Sequence, residues 1–213
     1  RAEPDIVVVK DAKYIANGAG FLDDKRQHLY VFDINEKSLK QLTSGADYNI
    51  NNPQLSADGK YIVYAANKTG LEYDGSSNQD IFRLDIATQE SAPLTVHPHV
   101  QTQPRLSSDN KTIAYLHTEA AYEQSDLWVM DSEGNNAKNL TEDFDRFVSP
   151  PFWGARDKTL YFLANDKGAV RLFAADPNSS KVTRVIAENK TVGNLSLSPN
   201  GDFALFTMED STH

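Results

Sequence analysis

"NNPQLSADGKYIVYAAN", residues 51–67, holds a short apolar strand, a polar reversal and a second apolar strand. Its recurrence decides the fold. Nearly the same phrase returns as "TQPRLSSDNKTIAYLHT" at 102–118, "SPPFWGARDKTLYFLAN" at 149–165 and "GNLSLSPNGDFALFTME" at 193–209. Aligned on Leu55, Leu106, Trp153 and Leu197, the units are 51, 47 and 44 residues long. The second strands begin after Lys60, Lys111, Lys158 and Asp202 and are rich in β-branched and aromatic residues, as strands prefer. Between the two strands, "SADGK", "SSDNK" and "SPNGD" supply the Asp, Asn and Gly that a tight reversal requires.

A third strand recurs as "HLYVFD" at 28–33, "DIFRLD" at 80–85, "DLWVMD" at 126–131 and "RLFAAD" at 171–176. Nine residues beyond each closing Asp stands an apolar residue of a fourth strand, namely Leu42, Leu94, Leu140 and Val185, and Thr follows the first three. Four short antiparallel strands per unit of this length specify the blades of a β-propeller, since one such sheet cannot bury both its faces alone. A β-sandwich of generic hairpins has no reason to hold these offsets constant. The fold class expected is therefore all-β, a partial propeller of about four to five four-stranded antiparallel blades. Nearly all length variation lies between the second and third strands, where the offsets from Lys60, Lys111 and Lys158 are 20, 15 and 13 residues. Those loops share one face of the disc with the inter-blade loops, and loops that vary over a constant scaffold are where function concentrates.

The 213 residues are 39% hydrophobic and 10% aromatic, a globular composition. The net charge of −9 and the lack of a dense Lys/Arg run argue against nucleic acid as a partner. No apolar run approaches the ~20 residues of a membrane span, so no membrane partner is expected. With no cysteine there is no disulfide, no thiolate metal site and no Cys nucleophile, and cytoplasm and bacterial periplasm both remain open as compartments. His97 and His99 in "VHPHV" lack a third ligand at a useful spacing and read as a turn shaped by Pro98, so no metal or other cofactor is expected. His28 and His117 fall at strand edges without suggestive neighbours, and "FVSPPFW" at 147–153 reads as a first strand packed between blades.

The "PQLSADGKYIVYAAN" and "SLSPNGDFALFTMEDSTH" phrases resemble the blades of the prolyl oligopeptidase family of serine peptidases, most nearly its acylaminoacyl-peptidase and dipeptidyl-aminopeptidase-like branches. "YIANGAGFLDDKRQHLYVFD" at 14–33 is similar to the opening of those propellers, and the run from Phe144 to Asp176 is the most specific match. The resemblance implies a propeller joined to an α/β-hydrolase domain bearing Ser, Asp and His, with peptides as substrates. No Gly-x-Ser-x-Gly elbow occurs in the sequence, so no catalytic residue is assigned and the hydrolase domain is expected to lie outside residues 1–213. In dipeptidyl-aminopeptidase relatives, propeller carboxylates hold the substrate's α-ammonium group. That role would fall here to Glu72, Tyr73 and Asp74 in the 67–79 loop and to Glu119, Tyr122 and Glu123 in the 117–125 segment. The sequence has no adjacent Glu–Glu pair like theirs, and read from the residues alone both loops are solvated acidic surface. A stand-alone TolB-like propeller that binds protein partners is the competing function.

Two closures remain open. The strands at 28–43 and 194–208 either complete one blade and close a four-bladed ring, or end an open arc of about four and a half blades. Open blade edges are expected to pair with another copy and give a homodimer.

Overall fold

The computed structural model describes residues 15–16, 20–21, 26–45, 47–69, 78–96, 99–119, 123–188, 190–198 and 201–209. A two-residue hairpin, β1 (Ile15–Ala16) and β2 (Gly20–Phe21), precedes a half-blade of β3 (Tyr30–Asp33) and β4 (Ser38–Gln41). Three whole blades follow. Blade I is β5 (Ile50–Leu55), β6 (Tyr61–Ala66), β7 (Asp80–Asp85) and β8 (Ser91–Pro93). Blade II is β9 (Val100–Leu106), β10 (Thr112–Thr118), β11 (Asp126–Asp131) and β12 (Lys138–Asn139). Blade III is β13 (Phe152–Trp153), β14 (Leu160–Asp166), β15 (Ala169–Ala175) and β16 (Val182–Arg184). A second half-blade, β17 (Thr191–Leu197) and β18 (Ala204–Glu209), ends the described chain. The architecture is the partial propeller that the repeats demanded.

Alternation along each strand explains the packing. On β6, Ile62, Tyr64 and Ala66 face the first half-blade and meet Leu29 and Leu42, while Tyr61 and Val63 face blade II and meet Leu106, Ile113, Tyr115 and Met130. The same partition puts Leu116, Leu127 and Leu140 of blade II against Leu160, Phe162 and Phe173 of blade III, and Leu172 of blade III against Val192 and Leu195 beyond. Each apolar cluster is thus shared by two consecutive units, and β6 is buried along its whole length. "FVSPPFW" behaves as expected. Phe152 packs toward the last half-blade and Trp153 toward blade II, where its indole N–H donates to Arg105 O at 2.8 Å.

Hydrogen bonds account for the recurring polar residues. The Thr after each fourth-strand Leu turns its hydroxyl back onto the third strand: the amides of Leu29, Ile81 and Leu127 donate to Thr43, Thr95 and Thr141 Oγ1 at 2.9 Å each. The closing Asp of the third strand accepts from the next turn, as Asp85 Oδ1 does from Ala87 N and Thr88 N, and Asp131 Oδ1 from Glu133 N and Asn135 N. Ser56 Oγ accepts from Lys60 N and Tyr61 N and donates to Asp58, which fixes the first reversal. Ser107 repeats the pattern with Asp109 and Thr112.

Neighbouring reversals are tied together at the interval of one repeat. Asn110 Oδ1 accepts from Ala57 N, and Asp157 accepts from Ser108 N and Oγ. The inner strands β5, β9 and β17 each carry a bulge, with Asn52, Gln103 and Asn194 at φ of 50°, 55° and 53°. Pro follows the first two, a residue tolerated within a sheet at such an interruption.

Thr95→Val keeps the shape and removes the oxygen that meets the buried Ile81 amide, so it should cost about 1–3 kcal/mol in denaturant unfolding. Thr183→Val on the exposed part of β16 should stay within about 0.5 kcal/mol. Backbone donors hold the Asp85 and Asp131 carboxyls below the ordinary aspartate range. Their stabilisation is therefore complete above the unfolded value of about 3.9 and is lost as pH falls through the lower folded value. Melting temperature measured across that interval should fall less steeply for Asp131→Asn, whose amide oxygen keeps the turn and cannot titrate there.

Candidate functional site: the long-loop face

The starts of β5, β9 and β11, the ends of β6 and β10, and the inter-blade connections emerge on one face of the disc. Between blades I and II a cluster of polar and aromatic groups sits beneath the roots of both long loops. Gln79 N donates to His99 O at 3.2 Å and Gln101 N to Gln79 O at 2.8 Å, bridging the third strand of blade I to the inner strand of blade II. The fully buried Gln101 side chain donates to Gln79 O at 2.7 Å and to Asp80 Oδ1 at 3.1 Å, and its oxygen accepts from His117 Nδ1 at 3.0 Å. With the Gln101 amide oriented by this network, His117 Nδ1 is the donor in that contact. The His117 ring lies 5.1 Å from Trp128 and 5.6 Å, edge-on, from His99. Asn78 Oδ1, Gln79 Oε1 and Trp128 Nε1 are buried there without a hydrogen-bond partner among the described residues.

This cluster escaped the reading of single strands. His117, expected at an edge without suggestive neighbours, is buried against groups from two blades. The available signal was an apolar strand with His next to its end, "IAYLHT", opposite an inner strand with Gln at its second position, "VQTQPRL". His28 sits 3.4 Å from Thr43 Oγ1, within the first half-blade.

The root of the 67–79 loop is anchored by Lys68. Its ammonium lies 4.1 Å from the Phe82 ring centre, 4.7 Å from Tyr48 and 5.2 Å from Tyr64, and donates to Tyr64 Oη at 2.7 Å. Burial pulls its pKa below the ordinary lysine range, against the opposing pull of Tyr48. Thr118 Oγ1 and Ser125 Oγ, 2.7 Å apart, close the root of the second loop.

Of the sequence-derived candidates, Glu72, Tyr73, Asp74 and Tyr122 lie outside the described residues, as do His97 and Pro98. Glu119 and Glu123 flank residues 120–122 on this face, and both are exposed. The carboxylates beside them are committed within the scaffold. Asp126 accepts from Thr141 Oγ1 and Asn139 Nδ2, Asp80 from Thr95 Oγ1, and Asp166 from Arg146 at 3.0 Å. Among the described residues no group of three or more His, Asp or Glu side chains is placed to hold a metal ion. Glu119 and Glu123 are exposed acidic groups of this face, alongside Glu142, Asp143 and Asp145 on the connection from blade II to blade III.

No family model matches the chain. Dipeptidyl-peptidase 5 of Porphyromonas gingivalis is 28% identical over 135 residues, 61% of this chain and 20% of that protein. The uncharacterized peptidase YuxL of Bacillus subtilis is 30% identical over 105 residues, 49% of this chain and 16% of its own length. The Tol-Pal system protein TolB of Francisella tularensis is 26% identical over 133 residues, 62% of this chain and 28% of that protein. Among solved structures, TolB from Acinetobacter baumannii superposes with a TM-score of 0.64 at 19% identity, covering 87% of this chain and 44% of that one. The chain therefore spans 28% or less of the curated relatives it matches. The fold is that of TolB-like propellers, and the kinship with peptidases expected from the blade phrases is borne out.

His117→Ala should cost about 1–3 kcal/mol, because it strips the buried Gln101 oxygen of its donor. It should also shift Trp128 emission to longer wavelength as water reaches the ring, whereas His28→Ala should leave that emission unchanged.

Proposed function

We propose that this propeller is the non-catalytic part of a prolyl-oligopeptidase-type serine peptidase and gates or positions peptides for an α/β-hydrolase domain. In this reading residues 1–213 are one portion of the propeller, and the Ser, Asp and His of catalysis lie elsewhere in the parent polypeptide. The observation that carries it is sequence similarity to two curated peptidases over 61% and 49% of this chain. The loop face would supply binding groups. Glu72, Tyr73, Asp74, Glu119, Tyr122 and Glu123 are the proposed substrate contacts, the carboxylates attracting an α-ammonium group through charge-assisted hydrogen bonds. The net charge of −9 favours a cationic end approaching first.

Similarity to TolB supports a second reading, a stand-alone propeller that binds protein partners on the same face. The gene separates the two. The peptidase reading expects Gly-x-Ser-x-Gly, then Asp and His, encoded beyond His213, and a reading frame that stops at or near that codon would favour the binding module. The isolated chain should neither cleave dipeptidyl or aminoacyl reporters nor be labelled by a fluorophosphonate; either result would overturn the assignment. In the parent enzyme, Glu119→Gln with Glu123→Gln should raise KM for substrates with a free amino terminus about tenfold at unchanged kcat. Substrates with a blocked amino terminus should be indifferent to the change.

A further inference from the structure

One position of the first strands departs from the repeat in blade II. The residues before Leu55, Leu106, Trp153 and Leu197 are Gln54, Arg105, Phe152 and Ser196, so the scaffold itself does not call for a cation there. The first strands of neighbouring blades meet one another directly. Gln54 Oε1 of β5 accepts from Leu106 N of β9 at 2.7 Å, and Arg105 O accepts from the Trp153 indole N–H at 2.8 Å. The end of β9 that carries Arg105 is therefore held from both sides. It lies next to the short reversal at 107–111, at the opposite end of the strand from the long loops.

The Arg105 guanidinium has no acidic partner among the described residues. Nη1 donates to Pro104 O and Nη2 to Gln103 Oε1, both at 3.2 Å, and both acceptors are neutral groups of the same strand. Arg146, by contrast, is paired with Asp166, and Arg83 with Glu133. Arg105 is partly buried, and burial alone pulls its pKa below the ordinary arginine range. Of the five N–H donors of a guanidinium, two are engaged, which leaves three for a ligand. The backbone is strained to hold the group. Gln103 has φ of 55°, in the left-handed region that Asn enters more readily, and Asn52 and Asn194 occupy the same bulge position at 50° and 53°. Gln is one methylene longer than Asn, and that reach brings its amide oxygen to Arg105 Nη2. Backbone strain of this kind collects at ligand sites.

We propose that Arg105, oriented by Gln103, binds the carboxylate of a peptide lying along the first strands. A guanidinium and a carboxylate match through two parallel N–H···O bonds. One cation in the field of a net charge of −9 suits a single negative charge better than a phosphate dianion. The carboxylate belongs either to the C-terminus of the peptide or to an Asp or Glu side chain. This site is independent of the α-ammonium contacts proposed for the long-loop face, because it takes the opposite charge at the opposite end of β9. It serves a peptidase substrate and a protein partner alike.

The test uses the 213-residue chain and N-acetylated tetrapeptides, which carry no α-ammonium group. One is tetra-alanine with a free C-terminus, another is Ala-Ala-Asp-Ala with an amidated C-terminus, and tetra-alanine amide is the neutral control. Titrations are followed by the indole N–H resonances, Trp153 reporting from the Arg105 carbonyl and Trp128 from the contact between blades I and II. An acidic peptide should shift Trp153 and leave Trp128 in place, and the peptide that does so identifies the carboxylate as terminal or side-chain. Shifts with neither acidic peptide, or equal shifts with the neutral control, would overturn the proposal. Tighter binding of inorganic phosphate would overturn the choice of a carboxylate. Arg105→Gln should weaken binding about tenfold or more while far-UV circular dichroism stays unchanged. Gln103→Glu supplies the carboxylate that Arg105 lacks, so it should abolish the Trp153 shift and keep or raise the melting temperature. Undiminished binding by either variant would remove Arg105 from the site.

Discussion

A four-stranded sheet with large apolar side chains on both faces cannot stand in water alone, and every other feature of this chain depends on that. Burial of a single Leu, Phe or Ile contributes about 1.5–3 kcal/mol. Each interface between units collects several such residues from both sides, as Leu160, Phe162 and Phe173 meet Leu116, Leu127 and Leu140. The stabilisation therefore resides between blades rather than within them, and neighbouring units order one another. Turn chemistry then sets the direction. Ser56, Ser107, Asn110 and Asp157 pin the short reversals to each other on one face, which leaves length variation to the other.

The polar residues that recur serve the same end. Thr43, Thr95 and Thr141 satisfy third-strand amides that the short fourth strands leave unpaired. In blade III the position after Val185 is Ile186, and there the buried Arg171 donates instead to the carbonyls of Glu188 and Lys190. The unit tolerates this exchange because both solutions tie the third strand to the connection leaving the blade.

Two polar clusters mark the long-loop face as more than a set of turns. The Gln101–His117–Asp80 contacts join blades I and II directly beneath the loop roots, and Lys68 fixes one root within a ring of aromatics. The length variation of the units therefore sits at the rim of this face, over contacts that join neighbouring strands at its base.

The sequence by itself determined the strand order within a unit, the repeat lengths, the turn residues and the face on which the loops vary, because each rests on spacing along one stretch of chain. It also identified Glu119 and Glu123 as acidic groups on that face. What His117 touches was decided only by the tertiary structure, since Gln101 and Trp128 lie on other strands and Asp80 belongs to the neighbouring blade. The separation of β3–β4 from β17–β18 was likewise a tertiary outcome. Strand patterns specify which edges can pair, while the angle accumulated from blade to blade decides whether those edges meet.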